Sequence, residues 1–378
     1  MAHHGRLATA VVAVVRGGPD LLETVENALA AIATADIVSP GASVLVKPNL
    51  HGGPGHTSPG MMSAVCRWAA GRGARRVLLG DGPYWGMTDC RPYFEAAGVY
   101  RACAESGAEP VFFHKHPYRL HHPGDPAVPP VLGVSRYLYE VDVVISVPVM
   151  KTHFHTGITI ALKNLKGCLR PVDKRRLHER DLVPALAVVN ELVQPLVSVT
   201  ICDATTAYEG MGPAAADPVS LGLVIASRDP VATDVVCCQL MGLEPSRVPL
   251  IGASAARGVG TADPGRIEVR GEAIAAHARR FERPEEALAR QFPGLTVLSD
   301  RACSVCSQNL VLALQELQAA GQSPGEVCVL IGASERTEAD VLVGDCALRG
   351  RTTESGARGC PPPVGAIREA LQRRTQVS

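Results

Sequence analysis

The sequence has few aromatic residues and no excess of charge of either sign. Aromatic side chains make up 4% of the 378 residues, and 37 Lys+Arg balance 37 Asp+Glu. A dedicated nucleic-acid-binding protein needs a positive surface and stacking rings, so this composition argues against that class. No apolar run approaches the roughly 20 residues of a membrane-spanning helix. We therefore expect neither a nucleic-acid partner nor a membrane.

Several sequence motifs that carry known chemistry are also absent. The chain has no G-x-x-x-x-G-K-[ST], no complete G-x-G-x-x-G, no H-E-x-x-H and no G-x-S-x-G. A P-loop nucleotidase, a standard dinucleotide fold, a zincin and an α/β-hydrolase are therefore unsupported. Residues 7–15 are apolar, but the run is short, and Glu23 and Glu26 precede any cleavage-like site. We interpret the run as a first β-strand of a cytoplasmic protein.

Short β-branched runs alternate with alanine-rich helical stretches along most of the chain. Strands are predicted at residues 43–46, 76–79 and 141–147, for example, and a helix at 61–72. This order predicts an α/β fold with a mostly parallel sheet and helices on both faces. A charged stretch near residue 290 precedes further strand and helix patterns. We therefore predict an α/β core domain of residues 1–290 and a smaller C-terminal α/β cysteine-bearing domain of residues 291–378.

The 12 cysteines divide into two groups. The seven that precede residue 300 lie mostly within apolar runs, which is typical of small buried hydrophobic residues. Four of the five in the C-terminal part lie in loops beside regular elements, where thiolates from separate segments can converge. These four are Cys303 and Cys306 in a C-x-x-C, Cys346 after Gly344-Asp345, and Cys360 before three prolines.

Three interpretations of the four cysteines compete. No histidine follows His277, which favours a thiolate-only site. A four-iron four-sulfur cluster needs four thiolates, and we favour it. A structural zinc site uses the same ligands but usually shows two C-x-x-C pairs. A redox dithiol needs only Cys303 and Cys306 at a helix N-terminus. Cys346 is the most doubtful cluster ligand because it is farthest from a recognised pair.

Polar side chains follow several predicted strands at the point where each strand ends. They are Lys47 and Asn49, Asp81, the segment Lys151-Thr152-His153-Phe154-His155, and Asp203. The carboxyl ends of parallel strands meet at one edge of a sheet, where ligands bind. Each side chain also has a structural alternative, such as closing a turn or capping a helix. As a set they favour a site, in which Lys151, His153 and His155 are the catalytic candidates.

A basic segment follows, and it offers further candidates for binding an anion. Lys163 and Asn164 are embedded among apolar residues, whereas residues 170–180 are densely basic. The dense part suits either a solvated surface or a positive lining. A positive lining would suit a carboxylate or phosphate substrate.

Taken in order, these segments resemble the domain of unknown function 362 family of bacteria and archaea. The matching stretches span roughly residues 44–270 and are Val46-Lys47-Pro48-Asn49, Thr57-Ser58-Pro59, 142–147 with Lys151-Thr152-His153, 161–167, His178, Asp203 with Glu209-Gly210-Met211-Gly212-Pro213, and 227–234. The resemblance implies that His178 and Glu209 join the substrate-binding candidates. It also implies iron–sulfur chemistry, which many members gain through an added ferredoxin-like domain. This chain lacks the compact ferredoxin cysteine run, and its tail instead resembles the Gly-Cys-Pro-Pro arrangement of some cluster-bearing redox subunits.

The leading hypothesis is an iron–sulfur oxidoreductase that acts on a small anionic metabolite and receives electrons from a donor protein. Lys47, Lys151, Lys163 and Asn164 would bind the anion, and His153 or His155 would move a proton. Three alternatives remain open. They are a hydro-lyase with an open iron site, a non-catalytic electron-transfer protein, and a zinc-stabilised binding protein.

Overall fold

The computed structural model describes residues 9–34, 36–50, 55–83, 89–178, 180–211, 215–299, 302, 304–333, 336, 338–351 and 353–375. The strands within these residues are β1 (Ala10–Arg16), β2 (Ser43–Pro48), β3 (Arg76–Asp81), β4 (Glu109–Phe112), β5 (Tyr118–His121), β6 (Leu132–Ser135), β7 (Val143–Val147), β8 (Val149–His153), β9 (Gly157–Thr159), β10 (Val199–Met211), β11 (Ala215–Ser227), β12 (Ile267–Gly271), β13 (Leu295–Leu298), β14 (Val327–Ile331), β15 (Val341–Val343) and β16 (Gly356–Ala357).

The α-helices are α1 (Leu21–Ala31), α2 (Pro59–Gly71), α3 (Arg91–Ala96), α4 (Val99–Ser106), α5 (Tyr137–Glu140), α6 (Ala161–Asn164), α7 (Pro171–His178), α8 (Leu182–Val193), α9 (Pro230–Leu240), α10 (Pro249–Ala256), α11 (Ile274–His277), α12 (Pro284–Gln291), α13 (Ser304–Ala319) and α14 (Val364–Thr375). α2 begins two residues before the predicted start at residue 61. Ser58 precedes Pro59 and accepts a hydrogen bond from the backbone N–H of Met61 at the start of α2.

A large, mostly parallel sheet organises the chain. Its strands run in the order β12-β1-β11-β10-β7-β2-β3-β4, and β8 pairs with β10 and β9. The pairs β2–β3, β2–β7, β3–β4 and β7–β10 are parallel, whereas β1 and β11 are antiparallel. β2, β3 and β7 therefore end at the same edge of the sheet.

Both faces of this sheet are buried beneath helices. In β2, Val44 and Val46 belong to an apolar cluster with residues of α1, α2 and α4. Leu45 points the other way, into a cluster with residues of α8, α9 and α10. Successive side chains of a strand face opposite sides, so a strand buried on both sides has a continuous apolar sequence. The predicted α/β fold class is confirmed.

The C-terminal part contains a second parallel sheet, in the order β13-β14-β15-β16. Residues of α13 and α14 pack with residues of β14 and β15 in one apolar cluster, for example Leu314 and Ile367 with Val329 and Val343.

The chain divides into two compact units. The first unit consists of residues 1–151, 156–208 and 218–281, and the second of residues 152–155, 209–217 and 282–378. The long C-terminal segment of the second unit starts at residue 282, nine residues before the start of the predicted C-terminal domain at residue 291. The unit also includes residues 152–155 and 209–217. Among the described residues, no helix is long and apolar enough to cross a membrane.

We expect Leu45→Ala to destabilise the protein by about 3 kcal/mol, because it empties a fully buried position on β2. Leu120→Ala is the matched control, since Leu120 is 53% exposed, and it should change stability by less than about 0.5 kcal/mol. Urea unfolding of both variants measures the difference. Equal midpoints would contradict the assignment of Leu45 to the core.

Candidate functional site

Lys47 and Asp81 form an ion pair where β2 and β3 end. Their Nζ and Oδ2 atoms are 3.0 Å apart, and both side chains are buried. Lys47 Nζ also donates to the carbonyl of Pro48 at 2.8 Å and to Asn164 Oδ1 at 3.0 Å. The pair confirms that these strand ends meet, as expected for neighbouring parallel strands.

The short helix α6 carries Lys163 and Asn164 to the same place. Asp234 of α9 accepts hydrogen bonds from the backbone N–H groups of Ala161 and Leu162, at 2.8 and 3.4 Å, which fixes the start of α6. Lys163 Nζ donates to Thr159 Oγ1 at 3.2 Å.

Two further lysines, Lys166 and Lys174, complete a basic cluster. Lys174 lies on α7 and donates to the carbonyl of Pro83 at 2.9 Å. Lys166 Nζ makes a very short contact with His178 Nε2 at the end of the same helix. Because an ammonium only donates, His178 Nε2 is assigned as the acceptor.

These side chains line a cavity of about 60 Å³. Its lining consists of Lys47, Asn49, Leu50, Asp81, Gly82, Pro83, Thr159, Lys163, Asn164, Lys166, Gly167 and Lys174. Four lysines therefore face one carboxylate among the described lining residues. We call this the lysine cavity.

Two glycines allow the lysines to approach the backbone closely. A β-carbon on Gly167 would lie 2.6 Å from Lys47 Nζ, and one on Gly82 would lie 2.8 Å from Lys174 Nζ. Any larger residue at either position would displace an amine, which accounts for glycine there.

Burial lowers the pKa of several lysines in and beside the cavity. It lowers the pKa of Lys166 to about 7, with a contribution from the charge of Lys174. Burial lowers the pKa of Lys174 to about 8, although Asp81 opposes the shift. It holds the pKa of Lys163 well below the ordinary lysine value. These amines therefore release their protons more readily than an ordinary lysine.

The three predicted catalytic residues have different surroundings. Lys151 is completely buried, and its Nζ donates to the carbonyl of Gly55 at 2.6 Å and to Asn49 Oδ1 at 3.4 Å. Burial lowers its pKa to about 7. His153 and His155 belong to the second unit, where the backbone N–H of His155 donates to His153 Nδ1 at 3.1 Å.

Asp203 and Glu209 bond to the backbone. Asp203 Oδ2 accepts from both the N–H and the hydroxyl of Ser58, at 2.9 and 2.7 Å, while its Oδ1 accepts from Thr205. In the second unit, Glu209 Oε2 accepts from the N–H of Glu282 at 2.8 Å. Neither residue is part of the described lining of the lysine cavity.

In the second unit, the predicted metal ligands Cys306 and Cys346 lie close together. Each sulfur is 3.6 Å from the point that a β-carbon on Gly344 would occupy, so the sulfurs are at most twice that distance apart. Cys360 follows Gly359, whose N–H and carbonyl both bond to Asp345, the residue before Cys346. Cys303 lies outside the described residues.

The two thiols beside Gly344 are donors of the kind that a thiolate-bound centre uses. Gly344 has φ +96°, a conformation that favours glycine. Within the described residues, however, no group of three or more His, Cys, Asp or Glu side chains is arranged to hold a metal ion. The predicted cluster therefore stays a prediction.

Comparison with known proteins identifies the family. The family described as "Domain of unknown function (DUF362)" matches residues 44–239. The chain belongs to the DUF362 family. A curated relative, Thylakoid-associated protein sll1697 of Synechocystis sp., is 30% identical over 227 residues, which are 58% of this chain and 68% of that protein.

A solved structure from Thermotoga maritima is also similar to this DUF362 chain. It shares 14% identity with a TM-score of 0.38, and the match covers 64% of this chain and 60% of that one. The family model and the curated relative confirm the resemblance predicted from the motifs for the DUF362 part. The resemblance of the C-terminal region to cluster-bearing subunits remains a prediction.

Sequence reasoning placed Lys47, Asn49, Asp81, Lys163 and Asn164 in the site, and all five line the cavity. It did not select Lys166 or Lys174, which lie in or beside an arginine-rich segment that also suited a solvated surface. The signal that could have found them is the rarity of lysine, because the chain has only six lysines among its 37 basic residues.

We expect the Lys151 amine to make stability depend on pH. The unfolded chain keeps this proton up to a pKa near 10.5, whereas the folded chain releases it near 7. The unfolded state therefore binds more protons between these values, so stability rises with pH across this window. Relative to Lys151→Met, the wild type should gain up to about 1.4 kcal/mol per pH unit between pH 7 and 9.

Urea unfolding at several pH values measures this gain. The control is Lys115→Met, because Lys115 is exposed and its removal should leave the slope of the wild type unchanged. Parallel curves for the wild type and Lys151→Met would contradict the lowered pKa.

Proposed function

We propose that this DUF362 chain is an iron–sulfur oxidoreductase that binds a small carboxylate or phosphate metabolite in the lysine cavity. The observation that carries the proposal is the imbalance of charge there, with four lysines against the single carboxylate of Asp81 among the described lining residues. A buried ammonium without a counter-charge is costly. A bound anion would supply the missing negative charge.

The polar groups of the cavity suit recognition of oxyanions. Besides the amines of Lys163 and Lys174, the lining includes Asn49 and Thr159, whose neutral side chains can also form hydrogen bonds. A bound anion favours the protonated form of a lysine whose pKa burial has lowered. Binding should therefore be coupled to proton uptake by the lysines.

The redox part of the proposal depends on the second unit. Cys303, Cys306, Cys346 and Cys360 would hold a four-iron four-sulfur cluster, for which the proximity of the Cys306 and Cys346 sulfurs is the support. A fully ligated cluster would supply one electron at a time. His153 or His155 would hold or move the accompanying proton.

The cellular setting is also part of the proposal. We propose a cytoplasmic enzyme that receives electrons from a donor protein, as the sequence predicts. The relative from Synechocystis sp. is named for association with the thylakoid, so fractionation of cells that express this chain is the direct test of location.

We expect the protein to bind inorganic phosphate or oxalate in the lysine cavity. Lys163→Met removes one amine from the lining and should weaken binding about 10- to 100-fold, the effect of losing one charge-assisted hydrogen bond. Isothermal titration calorimetry measures the affinity. Lys115→Met removes an exposed lysine and serves as the control, with unchanged affinity. Equal affinities for all three proteins would contradict binding in the cavity.

Purification without oxygen, followed by iron, sulfide and zinc analysis, tests the cluster. We expect about four iron and about four sulfide per chain. Cys346→Ser should abolish both or leave a cluster with fewer irons, whereas Cys328→Ser, in strand β14 of the same unit, should retain the full content. Zinc without sulfide would favour the zinc-stabilised binding protein.

The cluster also allows the enzyme to be distinguished from a simple electron carrier. If Cys346→Ser keeps the full iron and sulfide content, Cys346 is not a ligand, and dehydration of a substrate by the protein would then favour the hydro-lyase with an open iron site. If the cluster exchanges electrons, no anion binds, and Lys163→Met leaves the electron exchange unchanged, the chain acts as an electron carrier and the lysine cavity plays no part.

A further inference from the structure

Lysine is rare in this chain, and its positions are unusual. Arginine supplies 31 of the 37 basic residues and lysine only six. Five of the six lysines are buried. They are Lys47, Lys151, Lys163, Lys166 and Lys174. The remaining one, Lys115, is exposed.

This distribution points to a need for amines and not only for positive charge. Arginine stays protonated in proteins and binds carboxylates and phosphates well. If these buried positions needed only positive charge, arginine could supply it, as it does elsewhere in this chain. Of these two residues, only lysine can lose its proton near neutral pH and act as a base or a nucleophile.

The partners of the cavity lysines differ, and they single out Lys166. Lys47 is held by the carboxylate of Asp81. Lys174 donates to a backbone carbonyl and Lys163 to a threonine hydroxyl. The amine of Lys166 instead contacts an imidazole nitrogen, His178 Nε2, which can accept a proton.

We propose that Lys166 forms a Schiff base with the carbonyl of a small anionic metabolite whose charge is held by Lys47, Lys163 and Lys174. The substrate class is a carboxylate or phosphate that also carries an aldehyde or ketone, such as a 2-oxo acid or a phosphorylated aldehyde. The inference rests on anion binding in the lysine cavity and does not depend on the cluster.

The step needs no oxidant or reductant. His178 Nε2 takes a proton from the Lys166 ammonium, and the neutral amine attacks the carbonyl carbon, so that a C–N bond forms as the C=O π bond breaks. The attacking nitrogen then passes one of its two remaining protons to the carbonyl oxygen, which becomes a hydroxyl. His178 then returns its proton to this hydroxyl, the C–O bond breaks, and water leaves. The products are one imine and one water for each amine and carbonyl consumed.

The surroundings of Lys166 favour the neutral amine that this step requires. The side chain is buried, and the ammonium of Lys174 adds repulsion; both lower its pKa. The same charge that weakens protonation of Lys166 attracts the anionic end of the substrate. Nucleophilic lysines in other enzymes are activated by burial and by a neighbouring cation in this way.

Trapping with cyanoborohydride tests the proposal. The full-length protein is incubated with glyoxylate or, in a parallel arm, with glycolaldehyde phosphate, and the reduced adduct is located by peptide mass spectrometry. We expect one carboxymethyl group from glyoxylate, or one phosphoethyl group from the phosphate, on Lys166. Labelling of Lys166 should exceed that of exposed Lys115 at least tenfold. The arm that labels faster identifies the preferred anion.

Matched variants sharpen the test. Lys166→Arg and Lys166→Gln should remove the adduct, and Lys115→Arg should leave labelling of Lys166 unchanged. Excess oxalate should slow labelling of Lys166 and not of Lys115. Because the wild-type peptide map locates the adduct by itself, the test does not depend on folding of the Lys166 variants.

Three results would overturn the proposal. Equal labelling of Lys115 and Lys166 would show that the amine is not activated, and an adduct on Lys163 or Lys174 would assign the chemistry to another lysine. Calorimetric binding of oxalate or phosphate without any adduct would remove the Schiff base and leave the anion site standing. Failure of both binding and labelling would remove the proposed anion site as well.

Discussion

The burial of lysine amines at one edge of the large sheet is the constraint on which the first unit depends. Removing an ammonium from water costs several kcal/mol unless partners replace the water. Lys47 obtains a carboxylate, Lys151 a backbone carbonyl and Lys166 an imidazole. Glycines at positions 82 and 167 leave room for the amines. The lowered pKa values of Lys151, Lys166 and Lys174 show that these partners compensate the burial only in part.

Some motif residues of the DUF362 family line the lysine cavity, and others make structural contacts. Lys47, Lys163 and Asn164 line the cavity. Asp203 instead holds Ser58 at the start of α2, and Asp234 holds the start of α6. Thr57 accepts from the N–H of Asn49 and donates to Val147, which joins the ends of β2 and β7. A family signature can therefore describe the loops that position a site as well as its reacting groups.

Sequence patterns predict much of the fold, because buried strands have continuous apolar sequences and helices often begin with Ser, Asp or Pro. β2 and β3 begin where the sequence predicts, at Ser43 and Arg76. The site was harder to predict. On α7, Lys174 and His178 turn inward while Arg175 and Arg176 are exposed, and a short basic helix offers too few apolar residues to reveal which face is buried. The long-range bonds of Asp203 and Glu209 leave no local sequence signal at all.

The confinement of lysine to the interior also gives the native protein an unusual surface. Because its exposed cations are almost all guanidinium groups, acylating reagents meet a single lysine side chain, Lys115, among the described exposed residues. Unfolding would uncover five more amines together. The number of lysines acylated per molecule would then report the integrity of the sheet edge directly, without a dye or an engineered probe.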